Sequence, residues 1–138
     1  MSEPKKILII DDEQDFIETT IAVLSEIGDL LFLSANNGLK GLEIAKDSKP
    51  NLIILDLIMP EMNGFMVFKK LKKDPCTSHI PVIILTGITE KQGITYDAKT
   101  MENTFGKEPN AYIDKPFEIE ELIKTVSKLL DKELIIKE

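Results

Sequence analysis

Five residues of this 138-residue chain stand where an apolar run stops. Asp11 and Asp12 follow Ile7-Leu8-Ile9-Ile10, Asp56 follows Leu52-Ile53-Ile54-Leu55, Thr86 follows Val82-Ile83-Ile84-Leu85, and Lys115 lies just beyond Ala111-Tyr112-Ile113. Uninterrupted apolar runs of this length suit strands covered on both faces, the pattern of a parallel sheet. Three carboxylates, a hydroxyl and an ammonium would then share one rim of that sheet. Crowded carboxylates repel one another and imply a compensating cation. A hard divalent ion fits: Mg²⁺, with Mn²⁺ as the alternative, keeps several waters and needs few carboxylates. Such an ion and Lys115 together could hold a phosphoryl group against Asp56. Taken alone, Asp56 serves equally well as a helix N-cap. Two adjacent acids, however, exceed the needs of one cap, and Lys115 has the wrong sign for a helix start.

The five converge only if intervening segments return the chain to the same edge, and those segments have helical periodicity. Phe16, Ile17, Ile21, Leu24 and Ile27 recur at three- and four-residue spacing, a stripe closed by Gly28. Residues 30–34 form a short strand with nothing ionisable at its end. Asn36-Asn37-Gly38 turns the chain into a weaker helix marked by Leu39, Leu42 and Ala45, which must stop before Pro50. Turn-forming Asn63-Gly64 opens a helix on Phe65, Val67 or Phe68, and Leu71, ending near Asp74-Pro75. Ile94, Ala98, Met101 and Phe105 fit a fourth helix face, with Gly106 as its stop. Ile119, Leu122, Ile123, Val126, Leu129 and Leu130 make the cleanest amphipathic helix, followed by apolar Leu134-Ile135-Ile136. Five strands alternating with five helices predict an α/β fold, a doubly wound parallel sheet with right-handed crossovers. In that topology the strand carboxyl ends line one edge, where ligands bind.

Length predicts a single domain over 1–138, with a core at about 5–130 and a tail at 131–138. A net charge of −7 argues against direct nucleic-acid binding, which needs clustered cations. Lys69-Lys70 and Lys72-Lys73 read as a solvated helix face. No apolar run approaches the roughly 18 residues of a membrane span, and the first run is too short for a signal peptide. One cysteine, Cys76, excludes an internal disulfide framework and fits a reducing compartment, so the expected location is the cytoplasm. His79, the one histidine, sits in a loop before Pro81 and reads as solvated.

The fragments I-L-I-I-D-D-E, L-I-I-L-D-L-I-M-P-E-M-N-G, V-I-I-L-T-G and Y-I-D-K-P-F, in this order, resemble the response-regulator receiver family over residues 5–130. The resemblance implies a flavodoxin-like sheet of order 2-1-3-4-5 and a two-component phosphoacceptor. Its donor would be a phosphohistidine on a sensor histidine kinase or a histidine phosphotransfer protein. On the same basis Asp56 resembles the phosphoacceptor and a metal ligand, Asp12 the direct metal ligand beside it, Asp11 its water-positioning neighbour, and Ile58 the third, backbone-carbonyl ligand. Thr86 resembles the switch hydroxyl, Lys115 the cation that contacts phosphate, and Tyr112 the aromatic that turns inward. Gly87 and Pro116 match the supporting positions. The implied output is a face built from the fourth helix, fifth strand and fifth helix, read by a downstream protein, with a monomer or a phosphorylation-dependent dimer. Such a chain is a regulatory protein that assists its own phosphorylation rather than an enzyme.

Two departures stand out. Thr86 and Lys115 are separated by 28 residues (87–114), about two helical turns more than receivers usually have, which predicts a reshaped partner surface. Ile58 and Ile88, both bulky, occupy the positions flanking the path of an attacking water, which predicts slow self-dephosphorylation. Among other classes, a flavin carrier needs a hydroxyl- and glycine-rich loop where D-D-E-Q-D stands. A dehalogenase-type phosphatase needs a general acid where Ile58 stands. A degenerate receiver acting as a constitutive interaction module stays open. The chain ends soon after the fifth helix, so a stand-alone or an excised receiver is expected.

Overall fold

A computed structural model describes residues 4–57, 59, 62, 64–86, 111–114 and 119–131. Its elements are β1 (Lys5–Ile10), α1 (Gln14–Leu24), β2 (Leu30–Ala35), α2 (Gly38–Ser48), β3 (Leu52–Asp56), α3 (Gly64–Lys73), β4 (Val82–Thr86), β5 (Ala111–Asp114) and α4 (Ile119–Asp131). The strands form one sheet of order β2-β1-β3-β4-β5. All four pairings are parallel. Both the order and the alignment are those expected from the sequence. The expected helix over 94–105 and the apolar residues 134–136 lie outside the described residues.

Strand alternation explains why the central runs carry no polar residue. On β1, Leu8 and Ile10 join one core with Ile53, Leu55, Val67, Phe68, Leu71 and Ile84. Ile7 and Ile9 join the opposite core with Ile17, Leu24, Ile54, Leu85, Ile113, Leu122, Val126 and Leu130. Successive side chains point to opposite faces, so a strand covered on both must be apolar throughout. α2 and α3 thus cover one face, and α1 and α4 the other. Each fully buried Leu or Ile contributes roughly 1.5–3 kcal/mol by leaving water.

The helix stripes differ from expectation in instructive ways. α2 does not bury Leu39, which is 65% exposed; it buries Gly38, Gly41 and Ala45. A Cβ at Gly41 would lie 2.6 Å from Ile10 Cδ1, so the helix approaches β1 closely only because that residue lacks a side chain. Apolar periodicity finds this helix through Leu42 and Ala45 but does not register the glycines through which it also packs. Ile119, counted on the last amphipathic stripe, is 51% exposed in the first turn of α4. α1 ends at Leu24, short of Gly28, because Ser25, Glu26 and Ile27 donate to Ile21, Val23 and Leu24 in tightening turns. Asn37 caps α2 by accepting from the Lys40 amide at 2.8 Å. Lys49, at φ 49°, ends that helix in the left-handed conformation.

Candidate functional site

The site grows from the carboxyl ends of two neighbouring central strands. β3 is buried from end to end and stops at Asp56, whose register partner on β4 is Leu85. The next amide, Leu57, still donates to Leu85 O at 3.1 Å, so the backbone carrying Asp56 is held in the ladder on both sides of the carboxylate. The chain then returns so that Gly64 donates to Leu57 O at 3.0 Å and starts α3 against the end of β3. A Cβ at Gly64 would be driven into the Asp56 carbonyl oxygen and lie 2.6 Å from Leu57 Cα. These are backbone atoms with no rotamer to yield. Gly64 was legible as a turn former; what it provides is space against the strand that presents Asp56.

β1 delivers the other two acids. Asp11 donates its amide to Ala35 O at 3.1 Å, extending the β1–β2 ladder by one residue. Its Oδ1 accepts from the Glu13 amide at 2.9 Å, at the entrance to α1, where the Glu13 side chain makes no cap. Asp11 therefore combines turn formation with membership of the acidic site, and its Oδ2 is enclosed away from water. Asp11 is 1% and Asp56 5% exposed, while Asp12 faces solvent. Carboxylate oxygens from Asp11, Asp12 and Asp56 lie within 4.8 Å of one another. An all-oxygen donor set with one member open to water is the chemistry that a hard divalent cation requires. The three acids fit Mg²⁺ on that ground.

The remaining expected residues are placed less fully. Thr86 ends β4 one residue beyond the partner of Asp56, and its register partner on β5 is Asp114. Tyr112 sits on β5 opposite Ile84. Backbone register thus brings Thr86 to the same edge as Asp56, and Tyr112 lies two register positions before Asp114 in the adjoining strand. Ile58, Gly87, Ile88, Lys115 and Pro116 lie outside the described residues.

Two minor expectations are refined. Lys69, Lys70 and Lys73 are exposed, as a solvated face should be. Lys72 instead donates to Ser78 O at 3.1 Å and Ile80 O at 2.9 Å and lies 5.8 Å above the Phe68 ring. With the buried Thr77 hydroxyl donating to Leu71 O at 2.7 Å, it ties the end of α3 to the entrance of β4. The Asp74 carboxyl is held below its usual value, first by the Cys76 amide and further by Lys46, 3.5 Å away. Cys76 and His79 are exposed. No helix of the described residues is long and apolar enough to cross a membrane.

Comparison with known proteins gives concordant results. The family model described as the response regulator receiver domain matches residues 7–127. Protein PilH of Pseudomonas aeruginosa is 37% identical over 127 residues, covering 91% of this chain and 97% of PilH. The phosphate regulon transcriptional regulatory protein PhoB of the same organism is 36% identical over 91% of this chain but only 52% of PhoB. Among solved structures, the Vibrio cholerae chemotaxis protein CheY4 superposes with a TM-score of 0.76 at 26% identity, covering 93% of this chain and 100% of CheY4. The receiver domain of a histidine kinase from Syntrophus aciditrophicus gives 0.77 at 28% identity, covering 96% of this chain and 95% of that one.

Proposed function

The chain belongs to the response regulator receiver family, the phosphoacceptor signalling domains of two-component systems, and we propose that Asp56 is the residue that accepts the phosphoryl group. The observation that supports this most directly is the cluster of Asp11, Asp12 and Asp56 at the carboxyl ends of adjacent strands. Asp56 is a buried carboxylate on a rigid strand terminus, with two acids beside it that have no apolar-core role. Residues 5–130 would form the receiver and 131–138 its tail.

In the proposed reaction an Asp56 oxygen attacks the phosphorus of a donor phosphohistidine in line. The P–O bond forms as the P–N bond breaks, and the imidazole nitrogen leaves with its electron pair. Bound Mg²⁺, or Mn²⁺, would supply charge neutralisation for the transferring oxygens. Asp12 and Asp56 would ligate the ion directly, Asp11 would orient one of its waters, and the Ile58 carbonyl would complete the protein ligands. Asp56 itself contributes position, since the ladder bonds on both sides of it leave little freedom to misplace the nucleophile. Lys115 would offset charge on the phosphoryl group, and Thr86 would donate its hydroxyl to the oxygens that appear with phosphate. Because that hydrogen bond exists only in the phosphorylated state, it would bias a two-state equilibrium in which Tyr112 turns inward. The surface affected would be the one the resemblance implies, formed by β5, α4 and the helix expected between β4 and β5, and a downstream protein would read it.

Acetyl phosphate labelling tests the reading. Mg²⁺-dependent incorporation into the parent and none into Asp56→Ala is expected. An unlabelled parent would instead identify a constitutive interaction module. The bulky side chains at Ile58 and Ile88 would shield the acyl phosphate from water, so slow loss of label is expected, accelerated by Ile58→Asn. Rapid loss that Ile58→Asn leaves unaltered would refute the shielding.

A further inference from the structure

The edge strand β2 has an unusual composition for its position. Its sequence is Leu30-Leu31-Phe32-Leu33-Ser34-Ala35, with no charge, no proline and no glycine. Its register with β1 runs unbroken from Lys5↔Leu30 to Ile10↔Ala35, so no bulge turns it aside. Among the described residues β2 pairs with β1 alone, on one side. Leu31 is 47% exposed on it. Edge strands present a row of backbone donors and acceptors, and natural sheets blunt them with charges, prolines or bulges. This one carries none of these guards.

The backbone orientation can be read from one bond. Ala35 O accepts from the Asp11 amide, so Ala35 turns its polar groups toward β1. Peptide direction alternates along a strand, so Leu33 and Leu31 do the same, while Leu30, Phe32 and Ser34 turn theirs outward. We propose that this outer edge is an interface with a second copy of the chain, the two β2 strands pairing antiparallel about a two-fold axis at Phe32. Phe32 then stands opposite Phe32 of the second copy, Leu31 opposite Leu33, and Leu30 opposite Ser34. The outward-facing residues meet in pairs that exchange both backbone hydrogen bonds, and an aromatic pair sits on the axis.

The pairing is self-complementary, which is what a closed two-fold dimer demands of a surface. No like charges meet in this register, because the strand has none and the nearest acid, Asp29, falls opposite Ala35. The two five-stranded sheets become one. This interface lies at the opposite edge of the sheet from β5, so it neither uses nor blocks the proposed signalling face.

Sedimentation of the purified protein at about 0.1 mM tests the proposal, since dimer population depends on concentration. The parent is expected at twice the monomer mass. Ser34→Pro removes an outward amide while sparing every bond to β1, a place where an edge strand tolerates proline. It is expected to run as a folded monomer, with a far-ultraviolet spectrum like the parent's. Leu31→Lys, a charge placed on the exposed edge, is expected to do the same and decides the matter if Ser34→Pro does not fold. Hydrogen exchange supplies an independent readout: the Phe32 and Ser34 amides should be protected in concentrated protein and lose protection on dilution. A parent that stays at monomer mass, or a dimer that survives the deciding variant, overturns the proposal.

Discussion

Replacing Asp56 with Asn should make the metal-free protein more stable while abolishing its function. The carboxylate oxygens of Asp11, Asp12 and Asp56 lie within 4.8 Å of one another. At the outer limit of that separation and an effective dielectric near 20, each pair of charges repels by about 3.5 kcal/mol. Asp56 takes part in two such pairs, but Asp12 faces water and its share is heavily screened. Burial of Asp11 and Asp56 keeps the remaining pair comparatively unscreened. A net gain of about 1–3 kcal/mol is therefore expected when the Asp56 charge is removed without change of shape. For a domain of this size that corresponds to a rise of roughly 4–12 °C in Tm.

The assay is thermal unfolding by circular dichroism at neutral pH with a chelator present, repeated with Mg²⁺ in excess. Magnesium should raise the Tm of the parent more than that of Asp56→Asn, narrowing or reversing the gap, because a ligand stabilises in proportion to its affinity for the folded state. An Asp56→Asn variant that melts at or below the parent temperature in chelator would refute the claim that the three acids are held in mutual repulsion. Equal magnesium shifts in both proteins would refute their shared occupancy of one ion.

Three further outcomes follow from the packing. Gly64→Ala should cost about 2–3 kcal/mol in urea unfolding, since its Cβ meets Asp56 and Leu57 backbone that cannot yield; a cost below about 0.5 kcal/mol would contradict the close approach. Gly41→Ala should cost less, because its obstacle is the flexible tip of Ile10, and a double-mutant cycle with Ile10→Val should recover part of the loss. Asp74 is held below its ordinary value of 3.8 in the folded state, so its contribution is present above 3.8 and fades as pH falls through the lower, folded value. Asp74→Asn should accordingly be less stable than the parent at neutral pH, and the difference should vanish in strong acid.

How much of this was legible in the sequence depended on which physical signal each element carried. The strands were legible because burial on both faces leaves an apolar run that only a parallel sheet can use, and Asp11, Asp12 and Asp56 were legible as the points where those runs stop. α3 was read correctly from Val67, Phe68 and Leu71. α2 is legible from Leu42 and Ala45, which do pack on the core, but Leu39 of the same expected stripe is exposed, and Gly38 and Gly41 complete the contact in its place. A close approach selects against side chains, and periodicity scores side chains. The same blindness applied to Gly64, whose tightness against β3 is a property of two segments brought together and of neither alone. Lys72 was grouped with its exposed neighbours because residue type does not reveal which lysine finds carbonyl acceptors.

These observations also bear on how a change at Asp56 would travel. The carboxylate sits on a backbone fixed in two ways: by the ladder to β4, in which the Leu57 amide donates to Leu85 O, and by the start of α3 pressed against Leu57. A strand so constrained cannot relay a signal by moving along its own axis. Under the proposed function, transfer would run laterally across the sheet edge, from Asp56 to the end of β4 and then to β5, where Thr86 stands in register with Asp114. On the other flank, Asp11 is held by its amide on Ala35 O and by the Glu13 amide on its Oδ1. With Asp56 as the proposed phosphoacceptor, the rigidity that positions it would also direct the response toward β5 and α4. Loosening it, as Gly64→Ala would by pushing the start of α3 away from Leu57, should impair labelling and output together rather than either alone.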